Sequence, residues 1–259
     1  MNQVNDQLVL ERYTILNDPS VLHAISQRSG GVSAAPYQSL NLGSTVGDDP
    51  SSVAHNHTQL YEALGITACQ VVTARQVHGN RVVQVGTAEG GSAVPECDGL
   101  VTDAPGILLL MRFADCAPIL MWDPTRRAVA ALHAGWLGTI RQVAVAGVEA
   151  MQRAFGSQPH DLRALIGPSI GPCCLELGPE VIAQIEHELP EPDELVSRRQ
   201  PNGHAWFDLW LANRRQLERC GVRAIELAGV CTCCHQALYY SHRGSGGKTG
   251  RFAALVGLR

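Results

Sequence analysis

Three short segments carry side chains suited to holding a metal ion: Gln76-Val77-His78-Gly79, Ala114-Asp115-Cys116-Ala117-Pro118 and His133-Ala134-Gly135-Trp136. Each falls at an expected strand end or turn, where a rigid framework can present a ligand to a cleft. Neutral imidazoles and a thiolate suit zinc, and a catalytic zinc site can take one Cys and two His while a fourth position stays open to water or substrate. His78, Cys116 and His133 are therefore the candidate metal ligands. They lie too far apart in the chain for a zinc finger, and spacing alone leaves other chemistries open. His133 with Cys116 would also suit a cysteine hydrolase, with a carboxylate orienting the imidazole. The same donors accept copper, with Met111 or Met121 as a distant sulfur ligand. A multicopper oxidase would need several histidine clusters, and His55-Asn56-His57 holds the one closely spaced pair.

Carboxylates flank these segments. Asp98 and Asp103 lie in CDGLVTD at 97–103, and Asp115 precedes Cys116. Such a group can orient a ligand imidazole or move a proton. The catalytic assignment falls on Asp98, Cys116 and His133. Asp115 is expected to point away from Cys116 if the strand stays regular. Cys69 and Cys220 read as small core residues. Cys173-Cys174 and Cys231-Thr232-Cys233-Cys234 could combine into a four-cysteine zinc site. Only Cys231 and Cys234 have the Cys-x-x-Cys spacing, however, and the apolar neighbours favour a core.

Substrate contacts are expected from Arg28 and Asn41, from Ser169 in the Gly-Pro turns at 167–172, and from Arg243 and Arg251 flanking the Gly-rich run 244–250. That run is not a P-loop, because His242 stands where the first Gly is needed, yet its backbone N–H groups could wrap a smaller phosphate. Trp136 and Phe113 could wall an aromatic ring.

The bulk properties limit the partners. With 259 residues, 45% apolar and 17% charged, the chain is an ordinary globular sequence, read as one domain over 1–259. No apolar segment approaches the ~20 residues of a membrane span. A net charge of −4 gives no general attraction to nucleic acid. The opening residues do not read as a secretory signal, so a cytoplasmic location is expected, where nine cysteines point to reactivity or metal binding before disulfides. The oligomeric state stays open, a monomer included.

The elements that must position these groups alternate. Short apolar runs at 71–72, 82–85, 107–111, 127–133, 162–166, 225–227 and 252–258 predict strands. Apolar residues at helical spacing predict helices over 139–155 (with Gly156 as the stop), 179–189 and 207–220. This alternation supports an α/β or α+β fold.

Taken together, the segments RSGGVSAAPYQSLNLG at 28–43, VGDDP at 46–50, QVHG at 76–79, CDGLVTD at 97–103, ADCAPIL at 114–120, HAGWLGT at 133–139, IGPSIGPCC at 166–174, and CTCC, SHRG and TGR toward the C-terminus resemble the YfiH-like laccase-domain family. The resemblance implies an α+β fold, a compact layered α-β-β-α sandwich with mixed β-sheets, and zinc on His78, Cys116 and His133. It also implies phosphorolysis of purine nucleosides with inorganic phosphate as co-substrate, together with methylthioadenosine phosphorolysis and adenosine deamination. The family's older laccase label implies a copper-dependent polyphenol oxidase as the alternative. Three positions depart from the family pattern: Leu137 and the SHRG segment at 241–244 stand where Arg, or Arg with an aromatic, is commoner, and His57 follows Asn56 where Arg is usual. His57, Arg243, Lys248 and Arg251 are the compensating cations.

Overall fold

Period-two alternation sorts the side chains of the central strands into separate layers. In the computed structural model, which describes residues 7–259, strand Leu108–Phe113 turns Leu109, Met111 and Phe113 into one core layer and Leu108 and Leu110 into another. Strand Ala117–Asp123 does the same, with Leu120 and Trp122 facing the first layer and Ala117, Ile119 and Met121 facing a third. The shared layer lies between two six-stranded sheets.

One sheet runs Leu10–Glu11, Val21–Ser26, Phe252–Leu258, Leu108–Phe113, Val71–Ala74, Ala93–Val94; the other runs Ala224–Leu227, Arg163–Ile166, Ala117–Asp123, Ala128–Ala134, Gly99–Thr102, Val82–Gln84. Both mix parallel and antiparallel pairs. Helix Pro50–Leu64 covers the outer face of the first sheet through Leu60. Helices Val143–Phe155, Pro179–Glu188 and Leu209–Arg219 cover the second. The architecture is the expected α+β, α-β-β-α sandwich. A small third sheet joins Glu176–Leu177, Ala205–Phe207 and Val196–Ser197 at the side.

Helix Val143–Phe155 lies close on its sheet because position 147 is glycine: a Cβ there would stand 2.4 Å from Leu132 Cδ1. The helix ends at Gly156, whose φ of 69° is the left-handed stop glycine accepts. The expected helix over 139–155 is divided in two, Trp136–Ile140 and Val143–Phe155, by Gln142 at φ 61°. Helix Pro50–Leu64 is an addition to the sequence reading. Asp49 caps it by accepting from Ser52 N, and Pro50 occupies its first turn.

The topology places the candidate ligands. The chain passes from the first sheet to the second three times at one end of the sandwich, through residues 75–81, 95–98 and 114–116. His78 lies in the first crossing, Asp98 in the second and Cys116 in the third. His133 stands at the end of Ala128–Ala134, paired with Pro118 two residues beyond Cys116.

Candidate metal centre and its cavity

The ligand atoms of His78, Cys116 and His133 lie within 4.8 Å of one another. Cys116 Sγ is 3.9 Å from His78 Nδ1, close to the ~3.6 Å that two ligands of one tetrahedral zinc would show from the usual Zn–N and Zn–S lengths. Gly135 makes room for this approach. A Cβ there would sit 2.8 Å from Cys116 Sγ and 3.1 Å from His78 Nδ1, while φ of −79° is open to any residue. The donor set, its convergence and this glycine fit a metal ion.

Asp98 organises the centre from beneath. It is fully buried and accepts from Val77 N (3.1 Å), His78 N (2.9 Å) and Gly79 N (2.7 Å), and it pairs with His133 Nδ1 at 2.8 Å. His78 has φ of 58°, and this left-handed turn lets three successive amides converge on one carboxylate. Burial alone would push the Asp98 carboxyl up. The His133 contact and the Gly79 and Val77 amides outweigh it and hold Asp98 below the usual carboxylate range. Burial likewise pushes the Cys116 thiol up, but His133 and His78 reverse this and bring it down to about 6. Burial would lower His133, yet Cys116 and Asp98 raise it to about 9. Each of the two groups thus favours the charged form of the other.

A cavity of about 500 Å³ opens over these residues. Trp136, Ile170, Leu175 and Leu209 give it an apolar wall, and four arginines, Arg75, Arg112, Arg243 and Arg251, also line it. Arg112 is positioned through Gln76, whose Nε2 donates to Arg112 O and whose Oε1 accepts from Arg112 N. Arg243 donates to Cys174 O and Glu176 O, and Arg251 to Thr249 O and Gly250 O.

Several expected contacts sit elsewhere. Asp98 does not line the cavity and its oxygens already face four donors, so its geometry suits orienting His133 rather than exchanging protons with substrate. Arg28 ties loops together, donating to Gln38 O and Gln236 O with its guanidinium 4.6 Å from the Tyr240 ring centroid. Asn41 is fully buried and spends its amide on Gly43, Asp48 and Arg251 N. Ser169 is also fully buried, where its hydroxyl accepts from Trp210 Nε1 at 2.7 Å. Of the five expected substrate residues, Arg243 and Arg251 reach the cavity; the other three are bound up in folding the loops around it. His57 contacts Leu42 O, and Lys248 is exposed outside the lining. Phe113 packs in the core against His133 and Phe252, whereas Trp136 does face the cavity.

Asp115 does turn away from Cys116, by a left-handed residue at φ 84° rather than by regular alternation. Its carboxylate accepts from Thr232 Oγ1, Ser241 Oγ and Arg243 N. It thereby fastens the C-terminal loop with His242 and Arg243 over the centre. Sequence reasoning missed Arg75, Arg112, His242 and this anchoring role. Arg75, directly before QVHG, was the signal at hand.

An α-β-β-α sandwich with one cysteine and two histidines converging at one end defines a class, and solved structures share its fold. The hypothetical protein YfiH of Bacillus licheniformis superposes with a TM-score of 0.90 at 33% identity, covering 95% of this chain and 100% of that one. YlmD from Geobacillus stearothermophilus also gives 0.90, at 34% identity over 98% and 100% of the two chains. Residues 22–259 match the family described as multi-copper polyphenol oxidoreductase laccase. The chain belongs to this family, the YfiH-like laccase-domain proteins. Among its relatives, the purine nucleoside phosphorylase YlmD of Geobacillus stearothermophilus is 38% identical over 244 residues, 91% of this chain and 89% of that protein. A purine nucleoside phosphorylase of Deinococcus radiodurans is 40% identical over 242 residues, 92% of this chain and 90% of that protein. No helix among the described residues is long and apolar enough to cross a membrane.

Proposed function

We propose that the chain is a zinc-dependent purine nucleoside phosphorylase that uses inorganic phosphate to release a free purine and ribose 1-phosphate. The observation that carries this reading is the meeting, in one cavity, of the His78, Cys116 and His133 donors, an apolar wall at Trp136 and four arginines. Methylthioadenosine phosphorolysis and adenosine deamination belong to the same proposal. The names of relatives at 38% and 40% identity support the nucleoside assignment. The reading takes 1–259 as one catalytic domain. In its support, Val21–Ser26 and Phe252–Leu258, from opposite ends of the chain, are neighbours in one sheet.

His78, Cys116 and His133 would hold the ion, and zinc when bound would supply a Lewis acid and positive charge in the cavity. Trp136 offers a flat apolar surface to the purine. Arg243 and Arg251 restrain phosphate, with Arg112 adding positive charge. A phosphate oxygen bonds to ribose C1′ as the bond from C1′ to the purine nitrogen breaks, the bonding pair leaving with the purine, which then takes up a proton. Incubation of zinc-loaded protein with adenosine, inosine and methylthioadenosine, with and without phosphate, tests this by chromatography. Phosphate-dependent ribose 1-phosphate or methylthioribose 1-phosphate is the expected product. Ribose or inosine alone would redirect the reading to hydrolysis or deamination.

One observation favours a second reading: His133 stands between Cys116 and Asp98 in the order of a cysteine-hydrolase triad. That enzyme would form an acyl adduct on Cys116, visible by intact mass, and would stay active after chelation. A copper polyphenol oxidase would need several copper centres. Among the described residues, one of the two groups able to hold a metal contains histidine. Stoichiometric copper with oxygen consumption would revive that alternative.

A further inference from the structure

Away from the first centre, five cysteines are concentrated in the turn after Arg163–Ile166 and in the loop after Ala224–Leu227. Four of them gather: Cys173, Cys174, Cys231 and Cys234 bring their Sγ atoms within 4.8 Å of one another. Cys234 Sγ lies 3.6 Å from Cys173 Sγ and 3.4 Å from Cys174 Sγ. Four thiolates around one tetrahedral zinc at the usual Zn–S length stand about 3.8 Å apart, so the cluster already has the span of such a cage. It is too wide for disulfides, whose sulfurs sit ~2.05 Å apart. Core packing does not account for it either, because Cys173 and Cys234 are exposed.

The surrounding backbone holds the sulfurs in place. Gly171 N donates to Cys231 Sγ at 3.2 Å, as backbone amides do to metal-bound thiolates, and Cys231 forms a bridge with Ser169. His235 N bonds back to Cys231 O, closing the turn that brings Cys231 and Cys234 to one side. The adjacent pair Cys173-Cys174, which lacks ordinary zinc-finger spacing, reaches the same point because residues 171–174 form a tight turn closed by Cys174 N to Gly171 O.

We propose that Cys173, Cys174, Cys231 and Cys234 form a second metal site, a closed four-cysteine zinc centre that clamps the 171–177 turn to the 230–251 loop. The clamp bears on the cavity from two directions. Arg243 donates to the carbonyls of Cys174 and Glu176, and Thr232, between two of the thiols, donates to Asp115 beside Cys116. With all four positions taken by protein sulfur, the ion has no place for water or substrate and acts through structure alone.

The test uses full-length protein expressed with added zinc and purified under reducing conditions, carrying His78→Ala and Cys116→Ala to remove the first centre. This variant is expected to retain one zinc per chain. Cobalt exchanged into it should give the intense absorption of a tetrahedral thiolate complex. Adding Cys173→Ser and Cys234→Ser should abolish both signals with helix and strand content unchanged by circular dichroism. Because those serines could impair folding, the variant with all four thiols is also titrated with a mercurial, and zinc should leave in step with modification of four thiols. A protein without zinc after loading, a cobalt complex lacking thiolate absorption, or an intact mass showing disulfides in place of metal would overturn the proposal. None of these outcomes depends on nucleoside chemistry at the first centre.

Discussion

Asp98 Oδ1 lies 2.8 Å from His133 Nδ1, which leaves the other ring nitrogen of His133 available to the proposed metal ion. The same carboxylate accepts from three backbone amides of the His78 turn, so one buried group orients two of the three ligands. Asp98→Asn keeps the shape but turns an amide donor toward groups that are themselves donors. Zinc affinity is expected to fall about 10- to 100-fold, with a destabilisation of about 1–3 kcal/mol from the unmatched buried donors. Competition against a chromophoric chelator measures the first, and thermal unfolding of the chelated protein the second. An Asp98→Asn protein that binds zinc as tightly as the parent would reject the positioning role.

Gly135→Ala tests the space between Cys116 and His78. The backbone there accepts alanine, so the fold should hold, while the added methyl would press on both ligand atoms. Zinc occupancy under limiting metal is expected to drop at least about tenfold, since ligand geometry must hold to within ~0.5 Å. Elemental analysis beside a circular dichroism spectrum decides it. Full occupancy in a folded variant would show that the centre can relax around a methyl group.

Arg251 spends Nη1 on the carbonyls of Thr249 and Gly250 and reaches the cavity near Cys116 and Asp115. If it restrains phosphate, Arg251→Gln should raise the phosphate KM by about 10- to 100-fold, the loss of one charge-assisted hydrogen bond, with the metal content unchanged. Steady-state kinetics with phosphate as the varied substrate provides the check. A rise confined to the nucleoside KM would move Arg251 to the other half of the cavity.

How much of this was legible follows from what each signal depends on. Helix Val143–Phe155 was plain because its apolar stripe and Gly156 are local. Helix Pro50–Leu64 carried the start signal Asp49-Pro50 and the stop Gly65, but a polar residue interrupts its inner face. That residue, Asn56, is fully buried and bonds to Val32 N, Ser33 Oγ, Ser39 O and Asn41 O, partners that only the folded loop supplies. The ligand types at His78, Cys116 and His133 could be picked out by chemistry. Their convergence depends on two sheet crossings and a left-handed His78, which no spacing encodes. Arg28, Asn41 and Ser169 are polar groups in loops, and such groups are also what a loop needs to satisfy its own backbone. Arg112 was overlooked because it sits in the apolar strand Leu108–Phe113, where its reach to the cavity follows from pairing with distant segments.

A pH effect on stability should arise away from both proposed metal sites, at His23. Its side chain is 3% exposed on strand Val21–Ser26, and Nε2 accepts the backbone N–H of Tyr13 at 2.8 Å, which requires that nitrogen to be unprotonated. Burial, helped by the charge of Arg12, pushes its pKa from 6.5 down to about 4. Above pH 6.5 the imidazole is neutral in both folded and unfolded chains, and the full stability is present. As the pH falls from 6.5 toward 4, the unfolded chain takes up the proton and the folded one does not, so stability declines. A depression of that size corresponds to about 3 kcal/mol across the window. Thermal unfolding of the chelated protein at several values between pH 7.5 and 4.5 should show a falling Tm, with a shallower slope in His23→Gln, where no proton is taken up at this position. Parallel pH profiles for the two proteins would assign the acid sensitivity to another group.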